Sequence, residues 1–196
     1  MNERTMRRSS RRSGARADAP AGANVAFVTV GTTRFDALVA AVDDPAFEAA
    51  LIARGVTSLV VQAGAGPAAP SRLLTGGATR GVTAGGLEVE WLSYEPTLAP
   101  RFAAARLVVS HAGAGSLFEA LAARAAVVAV PNPSLMGNHQ AELAASLEGL
   151  SVLVAATTDT LAAAVATADF DGLVPYEPDG AGGIAAAVDA LAGRRP

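Results

Sequence analysis

Short apolar runs alternate with amphipathic segments along most of the chain. Val25, Ala26, Phe27 and Val28 stand together, and the run predicts a strand over 25–30 that is covered on both faces. Similar runs predict strands over 59–62, 107–109, 126–130 and 151–155. Leu87, Val89 and Trp91 alternate with Glu88 and Glu90, which predicts a strand over 87–91. Between the strands, Phe35, Leu38, Val39 and Val42 have helical spacing, and a second helix over 46–54 is closed by Gly55. Further helices are expected over 97–105, 116–121, 138–147, 157–166 and 183–191. Residues 64–86, rich in Gly, Pro, Ala and Thr, read as one long irregular loop.

Strand and helix alternate about six times, which predicts an α/β fold: a Rossmann-like parallel sheet with helices on both faces. Ligands of such sheets bind outside the carboxyl ends of the strands. Three loops should meet there: Gly31-Thr32-Thr33, the stretch from His111 to Gly115, and the stretch from Pro131 to Gln140.

The most informative stretch is the fourth strand with the turn and helix after it. Leu107, Val108 and Val109 lead through Ser110 and His111 into a small-residue turn, Gly113-Ala114-Gly115, and then a helix opening at Ser116. A strand, a tight turn and a helix start aim free backbone N–H groups and the positive end of a helix dipole at one point, which suits phosphate. Ser116 and Glu119 also have the S-x-x-E spacing of a capping box, which would engage both side chains locally. Both readings stand on spacing alone. A dinucleotide fingerprint does not fit, because Phe118 occupies its third glycine and the motif comes after the fourth strand rather than the first.

Composition narrows the chemistry. The 196 residues are enough for one domain with a sizeable core, and 51% of them are hydrophobic. With no cysteine there is neither a disulfide nor a thiolate metal site, and two distant histidines do not suggest a metal centre. All 15 basic residues are arginine, so lysine-based chemistry is excluded. Residues 1–23 carry six arginines against Glu3 and Asp18, a balance of +4, which leaves −7 on the rest. That division makes 1–23 an expected disordered tail and 24–196 the folded domain, and it argues against nucleic acid as a partner. Attraction of the tail to an anionic membrane surface is the alternative use of its charge. No run reaches the ~20 apolar residues that span a bilayer.

Three ordered motifs carry a resemblance: Phe27 to Asp36 with Gly31-Thr32-Thr33, Ser110 to Ser116 with Glu119, and Leu135 to Ala144 with Asn138-His139-Gln140. They resemble the C-terminal, donor-binding half of glycosyltransferase family 28. Within it they are similar to the small subunits of the split β-1,4-N-acetylglucosaminyltransferase of asparagine-linked glycosylation and to bacterial exopolysaccharide counterparts. The resemblance implies a UDP-sugar-dependent hexosyltransferase of GT-B architecture, of which this chain supplies the donor half. It implies that Gly113, Ala114, Gly115 and Ser116 hold the diphosphate and that Glu119 holds the ribose hydroxyls. Asn138, His139 and Gln140 then grip the sugar, and Gly31, Thr32, Thr33 and His111 face the nucleotide diphosphate; Arg34 is a further phosphate candidate. It implies no metal and no cofactor. The general base is expected on a membrane-anchored acceptor-binding partner, with His111 the candidate in this chain. The acceptor is expected to be a lipid-linked sugar, and the location cytoplasmic and peripheral to the membrane through the partner. The competing class is a non-catalytic subunit that binds UDP-sugar or stabilises a partner.

Overall fold

The computed structural model describes residues 24–134 and 139–177. The expected tail over 1–23, Asn138 and the helix over 183–191 lie outside the described residues. The elements run β1 (Val25–Thr29), α1 (Asp36–Val42), α2 (Pro45–Ala53), β2 (Ser58–Gln62), β3 (Arg80–Val82) and β4 (Glu88–Leu92). They continue with α3 (Ala99–Ala104), β5 (Ala105–Ser110), α4 (Ala114–Ala122), β6 (Ala126–Ala129), α5 (His139–Gly149), β7 (Val154–Ala155) and α6 (Leu161–Thr167).

The strands form one seven-stranded sheet in the order β3-β4-β2-β1-β5-β6-β7. Every pairing is parallel except β3 with β4. Without β3 this is the doubly wound order, in which the direction of winding reverses between two central strands. Here those strands are β1 and β5, paired from Phe27↔Val108 to Thr29↔Ser110. In such sheets the reversal opens a crevice at the carboxyl ends of these strands, and the loops after β1 and β5 lie at that end.

Alternation along each strand feeds two cores. Val28, Val61 and Val109 face α1, α2 and α6 through Leu38, Leu51 and Leu161. Phe27, Val60 and Val108 face α3, α4 and α5 through Phe102, Leu117 and Leu147. Phe27 and Phe102 meet edge to face, with ring centroids 5.4 Å apart. The continuous apolar runs are thus what a sheet covered on both faces requires. At the C-terminal end of α6, Arg54 donates to the carbonyls of Val165 (2.9 Å), Ala166 (3.0 Å) and Ala168 (2.5 Å). One guanidinium from the end of α2 therefore closes a helix more than a hundred residues away.

The structure corrects several expected boundaries. The loop over 64–86 contains β3, a three-residue edge strand that is exposed throughout and so lacks an apolar signature. The same stretch is fixed by Asp43, whose carboxylate accepts from the N–H groups of Ser71 (2.6 Å), Arg72 (3.1 Å) and Leu73 (2.9 Å). The last strand shortens to β7 because Ser151 takes a left-handed φ of 57°. The last described helix begins at Leu161, since Thr157 and Thr160 bond to each other in a turn before it.

Candidate functional site

The crevice between β1 and β5 is built from glycine, small hydroxyl residues and one histidine. After β5 the chain turns earlier than its glycines suggest. Ala112, fully buried, adopts φ 64°, so Gly113 becomes the N-cap and α4 begins at Ala114. This corrects the expected turn over Gly113, Ala114 and Gly115: the last two already belong to the first helical turn. An alanine in the left-handed region is uncommon and is held only where the surroundings over-determine it.

The early start settles the capping question. Ser116 lies inside the first turn of α4 and is not the N-cap, so Ser116 and Glu119 do not form a capping box. No side chain caps α4 and its first turn holds no acid. Among the described residues, the amides of Ala114, Gly115 and Ser116 have neither an intrahelical partner nor a side-chain acceptor. Gly115 faces open space, with nothing within 4 Å of where a Cβ would stand. Glu119 is exposed on the same helix, and its carboxylate makes no hydrogen bond within the described residues.

His111 sits at the floor of the crevice, 7% exposed. Its imidazole lies between two glycines: a Cβ on Gly31 would stand 2.7 Å from Cε1, and one on Gly113 2.4 Å from Nε2. Gly31 itself has φ 64°. The ring therefore occupies space that both positions leave free only as glycine. His111 Nδ1 and the neighbouring Ser110 hydroxyl are buried without a hydrogen-bond partner among the described residues. Burial holds the imidazole below the usual histidine range, partly offset by the nearby Thr29 carbonyl. The ring therefore gives up its proton more readily than an exposed histidine.

The loop after β1 places the other expected residues unequally. Thr32 is exposed, whereas the Thr33 hydroxyl is turned back to the Val30 carbonyl at 2.8 Å. Arg34 is bound to Asp36 through Nε and Nη2, at 2.6–3.0 Å, and both side chains are exposed. Nη1 makes no hydrogen bond among the described residues, so the guanidinium keeps donors for an anion while paired. His139 is exposed at the start of described α5. Gln140 lines a groove of about 620 Å³ at the carboxyl ends of β6 and β7, together with Pro131, Asn132, Ala144 and Thr157. Its Oε1 accepts from the Asn132 backbone N–H at 3.2 Å, which leaves the Nε2 protons for a ligand. Among the described residues no three His, Asp or Glu side chains converge as a metal site.

Three buried polar residues of the site, Thr29, Gln62 and Asn132, escape a reading of the sequence. Asn132 donates through Nδ2 to the Arg34 carbonyl at 3.4 Å and so ties the loop after β6 to the loop after β1. The available signals were slight: a polar residue closing an apolar strand, and an asparagine between two prolines.

The profile of the glycosyltransferase family 28 C-terminal domain matches residues 25–191. The chain belongs to this family. A UDP-N-acetylglucosamine transferase subunit ALG13 from Eremothecium gossypii is 32% identical over 177 residues, covering 80% of this chain and 87% of that one. The human protein of the same name is 40% identical over 121 residues, 62% of this chain and 10% of its own length. The chain thus spans about a tenth of the human and mouse relatives it matches. Among solved structures, the ALG13 solution structure is similar with a TM-score of 0.59 at 25% identity, over 78% of this chain and 89% of that one. Acinetobacter baumannii MurG shares the fold, with a TM-score of 0.51 at 17% identity, over 74% of this chain and 40% of that one. This family 28 domain is therefore a Rossmann-like half of the kind found in GT-B glycosyltransferases; the strand pattern predicted the sheet, and the resemblance implied the GT-B half.

Proposed function

We propose that this chain is the UDP-sugar-binding subunit of a two-part inverting glycosyltransferase, transferring a hexose or N-acetylglucosamine to a polyprenyl-diphosphate-linked sugar. The observation that carries the proposal is the uncapped first turn of α4 beside His111 and Gly31, in a family 28 domain. The donor diphosphate lies on the amides of Ala114, Gly115 and Ser116, where the helix end supplies about half a positive charge. Glu119 accepts the ribose hydroxyls, and Gln140 meets the sugar through its free amide protons, with Asn138 and His139 beside it.

The acceptor hydroxyl attacks the anomeric carbon from the face opposite the diphosphate. A new glycosidic C–O bond forms as the sugar–phosphate C–O bond breaks, and UDP departs with the bonding pair. The α4 amides stabilise the charge that develops on it, without reorganising. The hydroxyl proton passes to a base on a membrane-anchored partner. His111 is not given this role, because its ring is 7% exposed and a base must reach the acceptor oxygen. Among the described residues no helix is long and apolar enough to cross a membrane, which fits peripheral attachment through the partner on the cytoplasmic side.

The test is calorimetric titration of the full chain with UDP, and then a transfer assay on a polyprenyl-diphosphate-linked acceptor. Each is run with the chain alone and with a co-expressed membrane-anchored acceptor half encoded beside it. UDP binding together with transfer that needs both chains is expected. Robust transfer by the chain alone would overturn the split-enzyme reading, and failure of the pair to bind UDP would overturn the donor site.

A further inference from the structure

We propose that Gln62 is a positioning residue of the crevice: its buried amide holds the Gly31–Thr33 loop in the shape that receives the donor diphosphate. The inference rests on the donor-site reading given above. Gln62 is the last residue of β2 and is 2% exposed. Its Oε1 accepts from the Thr29 hydroxyl at 2.6 Å. Its Nε2 donates to the carbonyls of Gly31 at 2.8 Å and Ser93 at 2.9 Å. The Thr29 hydroxyl in turn accepts from the Gly31 N–H at 3.0 Å.

Gly31 is thus held at both its N–H and its carbonyl by one short chain of two side chains. The same amide links the carboxyl ends of β1, β2 and β4. Packing does not ask for it, since the neighbouring positions in β2 are Val60 and Val61 and an aliphatic side chain would fill the volume. What an aliphatic side chain could not do is satisfy two carbonyls and a hydroxyl in a dry place. The consequence reaches the site through Gly31. Its φ of 64° sets where Thr32 and Thr33 leave the strand. The His111 ring fills the space over its Cα, so a rotation of Gly31 displaces the imidazole. From the other end, Asn132 holds the Arg34 carbonyl. The loop hangs between two buried amides, and Gln62 governs the end nearest the diphosphate.

The full chain is compared with Gln62→Met, Thr29→Val and Thr29→Ser. Two readouts are taken at a temperature where each variant is folded: the UDP dissociation constant, and amide hydrogen exchange at Gly31, Thr32 and Thr33 against Val127 as control. Gln62→Met and Thr29→Val are each expected to weaken UDP roughly tenfold. Both should accelerate exchange in the loop and leave Val127 unchanged, while Thr29→Ser restores both readouts. Unchanged UDP affinity in a folded variant overturns the proposal, whether or not the melting temperature falls. Unchanged loop exchange overturns it as well. If Gln62→Met does not fold, Thr29→Val decides through the same hydrogen bond. If the wild-type chain and its co-expressed pair both fail to bind UDP, the donor reading falls. Exchange alone then judges the hold of Gln62 on the loop.

Discussion

Replacing Gly31 with alanine imposes two costs that a second substitution can separate. The first is backbone: a φ of 64° is open to glycine but costs an L-residue about 1–2 kcal/mol. The second is steric: the new Cβ would stand 2.7 Å from Cε1 and 3.1 Å from Nε2 of His111. Neither the ring nor the loop can retreat freely, because the imidazole is buried at 7% exposure and Gln62 holds the Gly31 carbonyl. Overpacking of this kind costs about 1–3 kcal/mol. The single variant should therefore lose about 2–5 kcal/mol in total. In the double variant Gly31→Ala/His111→Ala the contact is gone and the backbone term remains. The double-mutant cycle should return a coupling of about 1–3 kcal/mol, with the double variant less destabilised than the two single losses together. Urea unfolding of the four proteins, with a common m-value, measures it. Additive losses would refute the wedge of His111 between glycines. A coupling of the expected sign, with UDP binding lost in both single variants, would place the wedge inside the ligand site.

Three further outcomes rest on the same geometry. Glu119→Gln should weaken UDP by roughly 10- to 150-fold, the worth of a hydrogen bond to a charged acceptor, and leave the melting temperature unchanged because the carboxylate has no hydrogen-bond partner among the described residues; a variant that loses stability and keeps its UDP affinity would contradict this. At Asp43, burial raises the carboxyl pKa, but the N–H groups of Leu73, Ser71 and Arg72 and the Ser71 hydroxyl outweigh it and hold the group below the usual carboxylate range. Its contribution is therefore full above the unfolded aspartate pKa of ~3.9 and is lost as pH falls through the lower folded value, and Asp43→Asn should flatten acid unfolding over that window. His111 has the opposite charge type: its folded pKa lies below the unfolded value of ~6.5, so the unfolded chain takes up the proton first. Stability should decline as pH falls below ~6.5 and level off once the folded histidine is protonated, and His111→Gln should remove that slope in denaturant titrations across pH.

The strands of this fold were legible because the central parallel strands are covered on both faces, so burial leaves the same mark on each. Residues 25–30 and 107–109 announced the two strands that flank the crevice, and the loops after them did meet there. What stayed hidden depended on partners distant in sequence. β3 is read only through its pairing of Arg80 with Glu90, since Arg80-Gly81-Val82 has no pattern of its own. The start of α4 was misplaced because the sequence offers glycines at 113 and 115, while the left-handed turn falls on Ala112, a residue whose identity does not favour it. Gln62 and Asn132 were invisible for a different reason. A buried amide looks like any polar residue at a strand end until the carbonyls that it satisfies are brought to it by other strands.

The direction in which the polar groups face says what kind of site this half can provide. Gln62, Thr29 and His111 are buried and hold the loops from beneath; they fix geometry and do not reach outward. The groups that do face outward are the α4 amides, Thr32 and Glu119, with the Arg34–Asp36 pair beside them. Amides and hydroxyls donate hydrogen bonds to an anion, and a carboxylate such as that of Glu119 can accept from a diol. The proposed reading gives Glu119 to the ribose, and the imidazole of His111 is buried at 7% exposure. Such an arrangement stabilises a leaving group well and activates a nucleophile poorly. A transfer reaction needs both, on opposite faces of the anomeric carbon. In the proposed reading the leaving-group side falls to this chain, and the base comes from a second wall that a partner would bring.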